Sequence, residues 1–199
     1  MSINVKFIPW VGSQYAEGIK GKRVMVLGES HYCAHESDAV PQLTINIIHH
    51  ILNPDSEHEG FMNTYTKFGR ALAGKGQYNK DRAEVWNSVL FYNYVQVPIS
   101  EARKAPEKQD FVDAESPFFT VMEQYRPDCV IVWGKRLYNN LPRKGYQTED
   151  LKLSDGKTIE TWAYELDSGH KVHLLPITHP SAAFTPDYWH EAIISFVER

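Results

Sequence analysis

The sequence predicts an α/β protein, a three-layer α/β/α sandwich around a central, mostly parallel sheet with a small antiparallel edge. Three observations predict it. Short, largely apolar runs that include β-branched residues recur at residues 23–27, 88–92, 128–133 and 171–177, and the first and third close on Gly28 and Gly134. Runs of that kind suit strands buried on both faces, as at the centre of a parallel sheet. Segments with apolar residues at helical spacing lie between them, and Asp-Gly and Ser-Gly turns gather near the C-terminus. Strand and helix in alternation call for helices against the faces of one sheet.

Along the chain, residues 23–27 form the first strand. Leu43, Ile47, Ile48 and Ile51 then share one helical face, as do Phe61, Tyr65, Phe68 and Leu72. The run 88–92 leads into Asn93. Ser116-Pro117 reads as an N-cap with proline at the first helical position, Phe118, Val121, Met122 and Tyr125 supply the stripe, and Arg126-Pro127 stops it. The strand 128–133 follows. Turns at Ser154-Asp155-Gly156 and Asp167-Ser168-Gly169 join two or three antiparallel strands, and 171–177 ends before Thr178-His179. Thr185-Pro186-Asp187 opens a last helix that turns Trp189, Ile193, Phe196 and Val197 inward.

The chain of 199 residues, 42% hydrophobic and 13% aromatic, carries no repeat or linker that would divide it, so one domain over residues 1–199 is expected. It is long enough to bury a core without disulfides or a structural metal. Two cysteines, Cys33 and Cys129, do not make a disulfide scaffold or a four-thiolate site. No apolar run is long enough to cross a bilayer, and the start lacks the basic-then-apolar layout of a secretory signal. A soluble cytoplasmic monomer without a membrane association is expected. With 21 basic against 25 acidic side chains the net charge is −4, so binding to nucleic acid needs a local basic surface. Two basic stretches qualify: Lys67, Arg70, Lys75, Lys80 and Arg82, then Lys135, Arg136, Arg143 and Lys144. Charge runs of this density also serve as plain solvated faces.

Ligands of such sheets bind beyond the carboxyl ends of the strands. That rule selects the loops after Leu27, Tyr92 and Ile177. The first, Gly28-Glu29-Ser30-His31-Tyr32-Cys33-Ala34-His35, concentrates groups that ionise or hydrogen-bond, although Glu29 and Ser30 equally suit capping of the next helix. His31, Cys33 and His35 alternate in a way that would place three metal ligands on one side, short of the fourth that zinc usually takes. Asn93 offers a donor and an acceptor fit to read a base edge or a lactam, or to form a turn. His179, fixed by Pro180, is set to donate to a ligand or to satisfy its own loop.

Gly28-Glu29-Ser30-His31-Tyr32 after one strand, Asn93 after the next and His179-Pro180-Ser181 near the end resemble the three motifs of the uracil-DNA glycosylase superfamily, over residues 20–199. The resemblance implies hydrolysis of the N-glycosidic bond of a flipped uracil or other deaminated base in DNA, with no cofactor. Glu29 would orient water or stabilise the sugar cation, with Ser30 beside it where other members carry an aspartate. His179 would donate to the departing base, Asn93 would read its edge, and Tyr32 or Phe61 would stack on it or exclude a thymine methyl. Gly28 and His31 would line the same pocket, Ser181 would meet a phosphate, and Phe184 would be the wedge in the duplex. The chain lacks the cysteines of the iron–sulfur members.

Two other readings stay open. Val26-Leu27-Gly28-Glu29-Ser30 and Asp187-Tyr188-Trp189-His190 are similar to the first and last blocks of the GDSL (SGNH) esterases, which would make Ser30 a nucleophile, His190 its base and Asp187 the orienting acid. The third reading is a domain of the glycosylase fold that binds DNA or a nucleotide and cleaves nothing.

Overall fold

The computed structural model describes residues 4–78, 81–101 and 104–199. The elements run β1 (Trp10–Val11), β2 (Val24–Gly28), a short 3-10 turn (Glu36–Asp38), α1 (Leu43–Leu52), α2 (Met62–Ala73), α3 (Arg82–Asn87) and β3 (Val89–Asn93). There follow α4 (Lys108–Asp113), α5 (Glu115–Tyr125), β4 (Cys129–Trp133), α6 (Lys135–Asn140), β5 (Tyr146–Gln147), β6 (Leu151–Lys152), β7 (Thr158–Ile159), β8 (Trp162–Glu165), β9 (Lys171–Ile177) and α7 (Pro186–Val197).

The protein is mixed α/β with a large, mostly parallel central sheet. Strand order is β1-β3-β2-β4-β9-β8-β5, and β3, β2, β4 and β9 are parallel. β8 and β5 make the expected antiparallel edge. β1 adds an antiparallel strand on the far side of β3, and β6 and β7 pair as a separate two-stranded sheet. β1 is two residues long, too short to leave an alternating pattern in the sequence.

All residues of β2, β3 and β4 are buried, which is why these runs read as continuously apolar rather than alternating. Side chains nevertheless alternate between two cores. Val24, Val26, Ile131 and Leu175 join Phe68, Trp86, Ile193 and Phe196, drawn from α2, α3 and α7. Met25, Leu27, Val130, Val132 and Leu174 join Phe111, Phe118, Met122 and Leu137, drawn from α4, α5 and α6. Each fully buried Leu, Ile or Phe contributes about 1.5–3 kcal/mol through removal of apolar surface from water.

The start of α5 differs from expectation. α5 starts at Glu115, not after Ser116, because Ala114 keeps helical angles and carries the chain on from α4. Pro117 falls in the first turn, where its missing N–H costs nothing. Arg126 ends that helix in the left-handed region, at φ 46°, and Pro127 after it cannot continue the helix. No helix among the described residues is long and apolar enough to cross a membrane.

The chain leaves β2 for β3 on one side and reaches β4 on the other, so the order reverses between β2 and β4. A crevice opens at the carboxyl ends of strands where the order reverses in this way.

Candidate functional site

The loop after β2 is held along its length by the segment after β3. Tyr94 and Val95 donate their N–H groups to the carbonyls of Gly28 and Glu29, both at 2.9 Å, and Ile99 and Cys33 continue the pairing. The loop is therefore a rigid extension of the sheet, and its side chains are fixed by the backbone beneath them.

Gly28 lies directly opposite Asn93 in the β2–β3 register. A Cβ on Gly28 would run into the Oδ1 of Asn93 and come within 3.2 Å of the Phe91 ring, so the absent side chain is what lets the amide lie across the strand. The Asn93 Nδ2 sits 3.1 and 3.2 Å from the two ring nitrogens of His31. The Nε2 of His31 is also 2.8 Å from the Thr44 hydroxyl on α1, and Phe7 packs edge-on at 4.8 Å. Burial pushes the His31 pKa down to about 3, so the ring is neutral at physiological pH. Asn93 and His31, expected to face a ligand, are both buried and hydrogen-bonded to each other, and they form the polar footing of the loop.

Glu29 and His179 stand above this footing. Glu29 is only 9% exposed and is gripped by both arms of Arg136: Nε donates to Oε2 at 2.9 Å, and Nη2 donates to Oε1. Arg136 lies in the first turn of α6, after Gly134 turns the chain out of β4 with φ +95°. Pairing with Glu29 raises the Arg136 pKa further above its ordinary value. The Nδ1 of His179 lies 3.2 Å from the Ser181 N–H and 2.7 Å from its hydroxyl. A backbone N–H only donates, so Nδ1 is the acceptor and Nε2 carries the proton of the neutral ring. Burial lowers the His179 pKa, opposed by the nearby Glu29 carboxylate and reinforced by the Arg136 guanidinium. Trp133 sets an edge against the imidazole at 5.9 Å.

Among the described residues the buried hydroxyl of Ser30 has no hydrogen-bond partner. Tyr32 is 49% exposed and lies near the Arg136 guanidinium. Phe61 is half-exposed and connects to this region through a chain of edge contacts, Tyr65 then Trp133 then His179.

Several sequence-derived roles are redirected. Ser181 is exposed, and its hydroxyl is committed to tethering His179. Phe184 is not a protruding wedge: it is 8% exposed and stacked on Trp189 at 6.0 Å, because the loop folds it under α7. Among the described residues no three His, Cys, Asp or Glu side chains converge as metal ligands. His31 is buried at Asn93, Cys33 is buried with its thiol pKa pushed up by burial, and His35 is exposed. The esterase triad is not assembled either. His190 is hydrogen-bonded to the Ala71 carbonyl at 2.8 Å, Asp187 is exposed in the first turn of α7, and Ser30 hydrogen-bonds to neither. In the second basic stretch Arg136 is paired with Glu29 and Lys144 with Glu115. Lys80 of the first stretch lies outside the described residues. The pairing of Arg136 with Glu29 across 107 residues carries no local sequence signal.

No protein-family model matches the chain, and no curated protein matches it.

Proposed function

We propose that the chain is a three-layer α/β/α sandwich of the uracil-DNA glycosylase type that hydrolyses the N-glycosidic bond of a flipped uracil or other deaminated base in DNA, acting as a monomer. The sandwich is supported by the two apolar cores on opposite faces of the sheet. The observation that carries the activity is the meeting of Glu29 and His179 where the strand order reverses, with the imidazole held so that Nε2 donates.

Flipping the nucleotide costs a few kcal/mol of lost stacking. The C1′–N bond then breaks with its electron pair going to the base, and water adds to C1′ and gives up a proton. Negative charge grows on the base carbonyl facing His179, where a preorganised donor contributes about 3–4 kcal/mol. The carboxylate of Glu29 faces the sugar cation and the incoming water. Tyr32 offers an exposed ring on which a base stacks. Asn93, His31 and Gly28 act at one remove, by fixing the loop that carries Glu29.

The second reading, binding without cleavage, is favoured by one observation: Arg136 neutralises the carboxylate that the reaction needs. The assay uses labelled oligonucleotides with one uracil, hypoxanthine or xanthine, single- and double-stranded, with alkali to reveal abasic sites. Wild type is expected to excise one of them, and Glu29→Ala and His179→Ala to lose about 100-fold or more each. Intact strands throughout with wild type would leave the binding domain.

A further inference from the structure

We propose that Arg136 is a phosphodiester-binding residue held in reserve by Glu29: a phosphate of the bound strand takes over the guanidinium fork, and the transfer leaves the Glu29 carboxylate without its counter-charge. The ligand class rests on the glycosylase reading, whereas the test below does not depend on cleavage.

The geometry is that of a transferable grip. A guanidinium fork fits a carboxylate and a phosphate equally well, through two parallel N–H···O bonds. The partners are unequally buried: the Arg136 side chain is 51% exposed and that of Glu29 is 9%. The exposed partner is therefore the one free to reorient, while Glu29 is fixed on a loop hydrogen-bonded to the segment after β3. Arg136 stands at the crevice between β2 and β4, beside Tyr32, and the preceding Lys135 is also exposed.

Without a ligand the pair keeps a buried carboxylate compensated. A strand phosphate replaces that carboxylate on the fork. Glu29 is then left buried and uncompensated, a condition the positive charge developing on the sugar relieves. The cost falls in the ground state and is returned in the transition state. A free nucleoside, which lacks the phosphate, would not release Glu29.

The test is binding of a fluorescent oligonucleotide carrying one uncleavable tetrahydrofuran abasic nucleotide, titrated over a series of salt concentrations. The proteins are wild type, Glu29→Gln, Arg136→Ala and the double variant, with circular dichroism and thermal melting to compare folding. Glu29→Gln removes the competing charge while keeping shape, and is expected to tighten binding several-fold. Arg136→Ala is expected to weaken binding about tenfold and to reduce the salt slope by about one phosphate. In the Arg136→Ala background, Glu29→Gln is expected to change nothing.

Unchanged or weaker binding by Glu29→Gln overturns the proposal, as does tightening that persists without Arg136, or no binding by either wild type or Glu29→Gln. The expected coupling without excision of any base would retain the phosphate site and remove the glycosylase reading. Excision without the coupling would do the reverse.

Discussion

Replacing His31 with glutamine tests the neutral, buried imidazole through a stability difference that changes with pH. The ring exchanges hydrogen bonds with the Thr44 hydroxyl and the Asn93 amide, so the substitution is expected to cost about 1–3 kcal/mol at pH 7. The folded protein holds the His31 pKa at about 3, against an ordinary value of 6.5 in the unfolded chain. As pH falls below 6.5 the unfolded chain takes up the proton first, so wild type loses stability between pH 6.5 and 3. At pH 5 the loss from this group is about 2 kcal/mol, from 1.5 pH units at 1.36 kcal/mol each. The glutamine variant has no such group. The wild-type advantage is therefore expected to shrink by about 2 kcal/mol between pH 7 and pH 5. Urea unfolding followed by tryptophan fluorescence measures it, and the titrations of His173 and His179 are present in both proteins and cancel. A difference constant to within about 0.5 kcal/mol over that range would show that His31 takes up its proton alike in the folded and unfolded chains.

Two further substitutions probe the footing and the last loop. Gly28→Ala forces a methyl against the Asn93 amide and the Phe91 ring, and is expected to cost about 1–3 kcal/mol in urea unfolding. Most of that cost should vanish in an Asn93→Ala background, and a cost that persists would mean that the backbone rather than the amide sets the requirement for glycine. Phe184→Ala is expected to lose about 3 kcal/mol of stability by emptying its stacked site against Trp189, without altering oligonucleotide affinity measured well below the melting point. Unchanged melting together with weakened binding would restore the wedge.

The fold is legible in the sequence because its signals are local. Residues 23–27, 88–92, 128–133 and 171–177 are mostly apolar over stretches as short as a strand, and helical spacing from Leu43 to Ile51 and from Phe61 to Leu72 needs only neighbouring residues. Proline at the start of α7 and the stop at Arg126-Pro127 are likewise written within a few residues. The sequence alone also brings Glu29 and His179 to one edge, since both follow strands expected to be parallel.

What tertiary structure alone decided is which polar groups face one another. Whether Asn93 meets a ligand or His31 depends on a contact across 62 residues, and whether the charge of Glu29 is free depends on Arg136 across 107. Residue type fixes what a side chain offers, not what is folded against it. Phe184 shows the same limit: an aromatic before a helix suits a surface wedge or a core position equally, and the stacking of Trp189 selects the core. Strands and helices are encoded by periodicity along the chain. Pairing, burial and charge compensation are properties of the packed molecule, because they depend on distances that only folding sets.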